Sequence, residues 1–346
     1  MSKISQIDPN FKIPEYVQKE DLCYYDVQNA PFEVHGVFYE EGKYRRIPKA
    51  LAESLGVGIE YLHTNTSGGR VRFVTDSLYV AIHAELDKVE PMAHIPVTGL
   101  AGFDLYADGE YYGTFVPPVD VKDSYDHILE FSQKKLREIT LHMPLYCDVK
   151  SLLIGLQNVA QVAKAVPYEG KVVYYGHSIT QGGCASRPGN SYPNILSRRL
   201  NIDHINLGFS GNCKGEPQLA EFVAELEMDA FVMDYDHNAP DIDHLRKSHE
   251  PFFRIIREKH PHLPVIFMTS TAQARFFDDQ EGRKEVIRKT YENALAAGDQ
   301  NVYFIDGSKI YHGCDAASVE GCHANDLGFW LQADAVGRVL TQALDG

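Results

Sequence analysis

The segment Val172-Val-Tyr-Tyr-Gly-His-Ser178 joins a short apolar run to a glycine-containing turn that ends in a serine. An apolar run of this length, bounded by a turn, is typical of a strand that is buried on both faces. Similar runs recur along the chain, and the predicted strands are Val172–Tyr175, Ile205–Leu207, Ala230–Tyr235, Val265–Thr269 and Val302–Ile305. Helical periodicity between and after them predicts helices at Tyr192–Leu200, Pro217–Leu226, Asp243–His260, Arg283–Ala297 and Asp326–Leu344. This alternation predicts a five-stranded parallel sheet with helices on both faces, which is a three-layer α/β/α sandwich.

The first half of the chain has a different period. Short alternating runs rich in Val, Ile, Phe, Tyr and Thr continue to about Val162, and Asp108-Gly109 is a strong hairpin-turn signal between two of them. Many short strands separated by turns predict an all-β sandwich of the jelly-roll kind, with one short helical exception at Lys49–Leu55. We therefore predict a β-sandwich domain over residues 1–165 and an α/β domain over residues 166–346.

The composition is that of a globular protein with an acidic surface. The formal net charge is −15, from 33 Lys+Arg against 48 Asp+Glu, and such a surface repels the phosphate backbone of nucleic acids. No apolar stretch approaches the roughly eighteen residues that a membrane-spanning helix needs. The N-terminal segment shows no apolar core of a secretory signal, so we expect a cytoplasmic protein with reduced cysteines. We predict no nucleic-acid partner and no membrane partner, and the sequence leaves a homo-oligomer open.

Small and polar residues follow the predicted strands where parallel strands end. Because ligands bind at the carboxyl ends of the strands in an open α/β sheet, these residues form the candidate site. Ser178 follows the first strand, Gly211 the second and Asn238 the third, while His323 precedes the last helix with Glu320 three residues earlier. A serine, a histidine and a carboxylate with amide donors nearby are the groups that acyl transfer requires.

Several of these positions also have a purely structural interpretation. A lone serine after a strand is usually a helix N-cap, Gly211 fits any turn, and Asn238 suits an Asx turn. We expect His237 to be structural, and we expect Phe329 and Trp330, on the last predicted helix, to lie in the core. The order in which the four blocks occur favours the catalytic interpretation.

The four blocks resemble the signature of the SGNH (GDSL-type) hydrolase superfamily, whose Ser, Gly, Asn and His occur in this order. The matching residues here are Ser178, Gly211, Asn238 and His323. In addition, Gly102-Phe-Asp-Leu-Tyr106 is similar to the GxDLY motif of the β-sandwich that precedes the catalytic domain in one esterase subgroup. The resemblance implies a flavodoxin-like three-layer domain and a serine esterase of that subgroup, with no cofactor and no metal.

The resemblance also implies a role for each signature residue. His323 takes the proton from Ser178, whose Oγ attacks the carbonyl carbon of an ester. The resulting oxyanion is held by the backbone N–H groups of Ser178 and Gly211 and by the side chain of Asn238. Removing one donor of this kind typically lowers the rate by about a hundredfold or more.

Two positions depart from the family pattern. Its Gly-Asp-Ser turn reads Gly176-His177-Ser178 here, and the acid three residues before the histidine is Glu320 instead of aspartate. We predict that Glu320 orients His323, with a backbone carbonyl as the alternative. His312, Cys314, Cys322 and His323 could also be considered as zinc ligands. This site is disfavoured, because their spacing matches no common zinc site and a metal bound to His323 would remove the base.

The substrate prediction rests mostly on the resemblance, because β-sandwich partners of SGNH domains recur in carbohydrate deacetylases. We predict removal of short acyl groups, above all acetyl, from an oligosaccharide or small-molecule ester. A lipid or platelet-activating-factor-like acylhydrolase is the first alternative, although no apolar lid segment is visible. A carbohydrate-binding protein with an inactive hydrolase domain is the second, and the intact Ser178 and His323 argue against it.

Overall fold

The N-terminal half is the predicted β-sandwich, built from antiparallel sheets. The computed structural model describes residues 7–8, 17–272 and 278–345. The strands of this half are β1 (Leu22–Asp26), β2 (Glu33–His35), β3 (Phe38–Glu40), β4 (Lys43–Arg45), β5 (Arg70–Thr75), β6 (Tyr79–Asp87), β7 (Phe103–Ala107), β8 (Glu110–Phe115), β9 (Ser124–Glu130), β10 (Arg137–His142), β11 (Asp148–Gln157) and β12 (Val162–Ala163). One sheet has the order β1-β11-β6-β9, and the other has β12-β5-β10-β7-β8 with β2 beside β5. Strands β3 and β4 form a separate pair.

The Asp108-Gly109 turn joins β7 to β8, as the sequence predicts. Asp108 and Gly109 have φ values of +54° and +83°, the left-handed pair that a two-residue hairpin turn of this kind requires. Helical structure in this half extends beyond the predicted segment Lys49–Leu55 because two further short helices form. The helices are α1 (Lys49–Ser54), α2 (Val57–Leu62) and α3 (Val97–Ala101).

The C-terminal half contains the predicted parallel sheet. Its strands are β13 (Lys171–Gly176), β14 (Asp203–Gly208), β15 (Ala230–Asp234), β16 (Val265–Met268) and β17 (Val302–Ile305), in the spatial order β14-β13-β15-β16-β17. Its helices are α4 (Ser178–Gln181), α5 (Tyr192–Leu200), α6 (Pro217–Ala224), α7 (Ile242–Lys259), α8 (Gln280–Ala296) and α9 (Asp326–Leu344). Every strand and helix predicted for this half is confirmed, with boundaries that move by no more than three residues. Within the described ranges, no helix is long and apolar enough to span a membrane.

Alternate residues of β13 point into different cores on the two faces of the sheet. Val172 and Tyr174 pack in a core that also contains the interior of the β-sandwich and residues of α5 and α9. Val173 and Tyr175 pack in a second core with residues of α6, α7 and α8. All four are fully buried, which explains why β13 is apolar at successive positions. Because the first core runs through both halves of the chain, the sandwich and the parallel sheet form one packed unit.

The last helix corrects one expectation about the core. Phe329 is fully buried, as expected, but Trp330 is 57% exposed on the surface of α9. Successive residues of an α-helix point about 100° apart, so two adjacent large side chains seldom share one narrow buried face. The prediction that both residues lie in the core was therefore wrong for Trp330.

The Gly102-Phe-Asp-Leu-Tyr106 motif forms part of the contact between the two halves. Asp104 is fully buried and accepts hydrogen bonds from Arg187 Nη1 and from the Gly189 N–H, both at 2.7 Å. The Tyr106 hydroxyl accepts a further bond from Arg187 Nη1, also at 2.7 Å. The motif therefore ties β7 to the segment that follows α4 in the other half of the chain.

We expect Asp104→Ala to lower the free energy of unfolding by about 3 kcal/mol, since it leaves the Arg187 guanidinium without its carboxylate partner. Thr114, whose Oγ1 donates to Asp104 at 2.7 Å, loses its acceptor in the same variant. The denaturation midpoint in urea measures the effect. Asp334→Ala is the matched control, because Asp334 pairs with Arg338 on an exposed helix surface and its loss costs less than about 1 kcal/mol. Equal midpoints for the two variants would contradict an anchoring role for the motif.

Candidate active site

Ser178 is the first residue of α4, directly beyond the end of β13. Gly176 and Gly208 let this short helix lie against the strand ends, because a Cβ would overlap Thr180 in the first case and the Gln181 backbone in the second. As the first residue of a helix, Ser178 has a backbone N–H that finds no acceptor among the described residues. The close approach of the helix thus presents the Ser178 side chain, partly exposed, at the edge of the sheet.

Gly211 and Asn238 lie beyond the strands that flank Ser178, since β14 and β15 are the two neighbours of β13. Gly211 has a φ of +71°, a conformation that favours glycine, and its N–H has no acceptor in the part of the chain that the structure describes. Asn238 ends a 3₁₀ turn after β15, and its Nδ2 donates to the Phe209 carbonyl at 3.1 Å. That bond holds the amide beside the Gly211 loop and leaves its second N–H available. Three adjacent strands therefore each end near an N–H group that can meet an oxyanion.

His323 lies between Ser178 and Glu320. Its Nε2 is 2.9 Å from Ser178 Oγ, and its Nδ1 contacts Glu320 Oε1. The same carboxylate accepts the His323 backbone N–H at 3.1 Å, so it holds both the ring and the main chain. The loop is closed by a hydrogen bond of 2.9 Å from the Val319 N–H to the His323 carbonyl, and Gly321 adopts a φ of +98° within it. The serine, the imidazole and the carboxylate form one continuous hydrogen-bonded chain.

The Glu320 carboxyl is ionised at neutral pH. Burial raises its pKa, but hydrogen bonds from the His323 side chain and backbone outweigh that effect, and the pKa lies below its ordinary value. A carboxylate at Nδ1 favours the tautomer with its proton there, which leaves Nε2 free to accept the proton of Ser178. Because the Glu320 side chain is 40% exposed, solvent weakens the ion pair that forms when His323 becomes charged.

His177, which stands where the family pattern has aspartate, is almost fully buried. Its Nε2 is 3.2 Å from Asp234 Oδ1, and its Nδ1 accepts the Ile179 N–H at 3.3 Å. The ring also stacks on His237, with 4.8 Å between the two centroids. His177 therefore belongs to a buried cluster beside Ser178 and takes no part in the hydrogen-bonded chain of Ser178.

Asp236 is a second buried carboxyl in this cluster. Its Oδ2 accepts the Ser270 N–H at 2.9 Å, whereas its Oδ1 has no hydrogen-bond partner among the described residues. Burial and the nearby Asp234 carboxylate raise the pKa of Asp236 from 3.8 to about 6. At neutral pH the ionised Asp236 carboxylate therefore destabilises the folded protein relative to the unfolded chain.

We expect Asp236→Asn to raise the thermal unfolding midpoint, relative to the wild type, more at pH 8 than at pH 5. A carboxyl whose pKa is raised by folding stabilises the folded state at low pH, and this contribution is lost as the pH rises through about 6. The effect totals about 3 kcal/mol between a pH below 3.8 and a pH well above 6, at about 1.4 kcal/mol for each pH unit between the two pKa values, and about half of it falls between pH 5 and pH 8. Asparagine keeps an acceptor for Ser270 and carries no charge. A midpoint difference that is the same at both pH values would rule the explanation out.

The β-sandwich half contributes two contacts to this site that sequence reasoning missed. The Tyr146 hydroxyl donates to the Ser178 carbonyl at 3.1 Å, and so holds the Ser178 segment from the other half of the chain. His94, in the loop between β6 and α3, places its ring centroid 5.4 Å from that of His323. Neither residue lies in a motif, and each partner is far away in sequence, so no local signal could have identified them.

Among the described residues, three groups near the site could hold a metal ion, each with one ligand atom per residue and all atoms within 4.8 Å of one another. They are His94 with Cys184 and His323, His177 with Asp236 and His237, and Glu320 with Cys322 and His323. His323 already contacts Ser178 and Glu320 through its two ring nitrogens, so a metal bound there would displace one of these contacts. His312 and Cys314, which were considered as zinc ligands, belong to none of the three groups.

Known protein families match both halves of the chain. The profile of a family described as GDSL-like Lipase/Acylhydrolase matches residues 169–341, which is half of the chain. The chain belongs to the GDSL-like lipase/acylhydrolase family. The GxDLY profile, described as the N-terminus of Esterase_SGNH_hydro-type, matches residues 22–162 of this GDSL-like hydrolase. A search of curated proteins found no match.

Solved structures share the fold of this GDSL-like hydrolase over most of its length. A protein described as a GDSL-like lipase from Bacteroides ovatus is 29% identical with a TM-score of 0.85, covering 94% of this chain and 98% of that one. A salicylyl-acyltransferase from a tetracycline biosynthetic pathway is 20% identical with a TM-score of 0.80, covering 94% and 98%. An acetyl xylan esterase from the rumen bacterium Butyrivibrio proteoclasticus is 15% identical with a TM-score of 0.60, covering 94% and 99%. At their low identities, the last two likenesses concern the fold alone.

Proposed function

We propose that this protein is a serine esterase that removes short acyl groups, above all acetyl, from carbohydrates. The observation that carries the proposal is the distance of 2.9 Å between Ser178 Oγ and His323 Nε2, with Glu320 at the other ring nitrogen. A hydroxyl at this distance from an imidazole can transfer its proton to the ring as its oxygen attacks an ester carbonyl. Membership of the GDSL-like family supports ester chemistry in general, and the short acyl group and the sugar go beyond it.

The proposed reaction proceeds in two steps. In the first, Ser178 Oγ bonds to the ester carbonyl carbon, His323 Nε2 takes the hydroxyl proton, and the ring then passes that proton to the leaving alcohol oxygen. In the second, water gives a proton to His323 while its oxygen bonds to the acyl carbon. The bond from that carbon to Ser178 Oγ then breaks, His323 returns the proton to Oγ, and the carboxylic acid is released. The oxyanion of each step meets the N–H groups of Ser178, Gly211 and Asn238. Glu320 stabilises the charged imidazole in both.

The polar surroundings of the catalytic histidine support a hydrophilic substrate. Polar side chains that contact the His323 ring include Ser178, Glu320 and His94, and both Glu320 and His94 are exposed. A sugar can form hydrogen bonds with such groups, whereas an alkyl chain would only remove them from water. The fold shared with an acetyl xylan esterase is consistent with an acetylated sugar.

Hydrolysis of lipid esters is the second candidate. The family description and the Bacteroides ovatus relative both include the word lipase, which favours this candidate. A long acyl chain needs a broad apolar cleft, and the three polar neighbours of His323 do not provide one. A protein that only binds carbohydrate would have no use for the contact between Ser178 and His323.

Initial rates with p-nitrophenyl acetate and p-nitrophenyl octanoate separate the two enzyme candidates. We expect kcat/KM to be about tenfold or more higher for the acetate, and a higher value for the octanoate would reject a short-chain esterase. A panel of acetylated oligosaccharides, analysed by mass spectrometry for loss of acetyl groups, then tests the sugar. If p-nitrophenyl acetate is cleaved but no member of the panel loses acetyl, the esterase activity is supported and the carbohydrate substrate is rejected.

A further inference from the structure

A groove lies on the boundary of the two halves, between the β7–β8 hairpin and helices α5 and α9. It encloses about 550 Å³. Its walls include the rings of Tyr111 and Trp330, which are 47% and 57% exposed, and the guanidinium groups of Arg187, Arg198 and Arg199. None of these residues belongs to the hydrogen-bonded chain of Ser178, so the proposed mechanism leaves the groove without a role.

The aromatic rings and two of the guanidinium groups hold each other in place. Arg187 Cζ lies 3.8 Å from the ring centre of Tyr111, and Arg199 Cζ lies 3.9 Å from that of Trp330. Each ring is therefore stacked against an arginine and still about half exposed to a ligand. Long side chains that are ordered before a ligand binds lose less entropy when it does, which favours binding.

Two of the three guanidinium groups in the groove are not engaged in ion pairs with any described residue. Arg187 is paired with the buried Asp104 at 2.7 Å, but neither Arg198 nor Arg199 forms an ion pair in the part of the chain that the structure describes. Arg198 donates to the Asn194 carbonyl at 2.9 Å, which leaves its charge uncompensated. Two such cations side by side are unexpected in a protein whose net charge is −15.

Two carboxylates also line the groove, and among the described residues neither forms an ion pair with Arg198 or Arg199. Asp326 accepts hydrogen bonds from the Ser186 N–H at 2.9 Å and from the Ser186 hydroxyl at 2.5 Å, which hold its carboxylate against Ser186. Glu110, on the β7–β8 hairpin, is exposed to solvent, where its field is screened. An anionic ligand therefore finds its complement at the two unpaired guanidinium groups.

Two chain segments connect the groove to the candidate active site. Asp326 lies three residues after His323, and Arg187 lies three residues after Cys184, whose sulfur is within 4.8 Å of a ring nitrogen of His323. Three residues of chain span at most about 11 Å. One oligosaccharide of a few units can therefore reach from the groove to Ser178.

We propose that this groove binds a sugar that carries a carboxylate, such as a uronic acid unit, in the same chain as the acylated unit. The half-exposed rings of Tyr111 and Trp330 suit the apolar face of a pyranose. The unpaired guanidinium groups of Arg198 and Arg199 suit a carboxylate, which arginine recognises through paired N–H donors. A role in substrate selection rests on the proposed carbohydrate esterase function, whereas binding by itself does not.

Trp330 is the single tryptophan of the chain, so its fluorescence reports directly on this groove. Glucuronate and glucose are matched probes, because they differ only in a carboxylate against a hydroxymethyl group. In the full-length Ser178→Ala variant, we expect glucuronate to change the Trp330 emission and to bind about tenfold or more tightly than glucose, with the same affinities in calorimetry. No response to glucuronate by either method would overturn the proposal, and so would equal affinities for the two sugars.

Arg199→Gln tests the cation, and Arg338→Gln is its matched control, since Arg338 lies on α9, the helix that carries Trp330, and pairs with Asp334 on the exposed surface. By calorimetry, we expect Arg199→Gln to weaken glucuronate binding about tenfold and to weaken glucose binding much less, whereas Arg338→Gln alters neither. Unaltered glucuronate binding in Arg199→Gln would overturn the site. An equal response to inorganic sulfate would overturn the recognition of a sugar.

The two proposals fail separately. If the wild type hydrolyses p-nitrophenyl acetate but glucuronate gives no response in fluorescence or calorimetry, the esterase proposal is supported and the groove proposal is rejected. Binding of glucuronate without any ester hydrolysis by the wild type does the reverse.

Discussion

Ser178→Ala is expected to lower kcat/KM for p-nitrophenyl acetate by about 10⁴-fold or more. In the proposed mechanism the Ser178 hydroxyl oxygen, 2.9 Å from His323 Nε2, forms the acyl-enzyme, and alanine offers nothing in its place. The N–H groups at the ends of the three strands remain in the variant, so some acceleration over uncatalysed hydrolysis should survive. Initial rates over a range of substrate concentrations measure the loss, and it should appear mainly in kcat.

Ser132→Ala is the matched control for this variant, because Ser132 is an exposed serine of the β-sandwich half. A fluorophosphonate probe should label the wild type and Ser132→Ala at Ser178 and should fail to label Ser178→Ala. Thermal unfolding of all three proteins shows whether the fold is retained. Similar kcat/KM values for Ser178→Ala and the wild type would refute the assignment of the nucleophile.

Glu320→Gln is expected to lower kcat/KM by about 10³-fold. The Glu320 carboxylate contacts Nδ1 of His323 and also accepts its backbone N–H at 3.1 Å, so it sets the tautomer and the position of the ring. The glutamine amide can present an N–H to Nδ1, which favours the wrong tautomer, and it cannot stabilise a charged imidazole. Steady-state kinetics with p-nitrophenyl acetate measure this loss, and circular dichroism tests whether the loop change has disturbed the fold.

The alternative, in which a backbone carbonyl orients His323, predicts a smaller loss of kcat/KM. If a backbone carbonyl oriented His323, Glu320→Gln would lower kcat/KM by less than about tenfold, as expected for the loss of an exposed ion pair. Glu320→Asp should lie between the wild type and Glu320→Gln, because it retains the charge on a side chain one methylene shorter. Glu281→Gln is the matched control, since the Glu281 side chain is 84% exposed and pairs only loosely, at 3.6 Å, with Lys284.

The catalytic half was predictable because its signals are local. A strand buried on both faces must be apolar at successive positions, and β13 shows this at Val172 to Tyr175. Once the sheet is parallel, all carboxyl strand ends face the same edge, so residues directly after the strands must lie near one another. That rule selected the segments that contain Ser178, Gly211 and Asn238 without any knowledge of distances, and the family resemblance then singled out Gly211 within its turn. The order β14-β13-β15, which places the first of them between the other two, required the structure.

The burial and contacts of individual side chains were less predictable, because they depend on packing partners that are distant in sequence. Trp330 looks like a core residue by composition, yet it lies on the exposed side of α9, where Arg199 stacks on its ring. The sequence shows only that His177 stands where the family pattern has aspartate, whereas the structure places it 3.2 Å from the buried Asp234. A helical period identifies one buried face, but it does not say which residue at its margin will be covered.

By itself, the sequence determined that the chain has a β-sandwich half and a parallel α/β half, and it determined which residues follow the strands. Only the tertiary structure showed that one core runs through both halves, and that Tyr146 and His94 of the sandwich reach Ser178 and His323. It likewise decided that Glu320, in place of aspartate, contacts the imidazole. The physical reason is the same in each case. Periodicity reports which side of a strand or helix is buried, whereas a contact between side chains depends on how two surfaces far apart in sequence fit together.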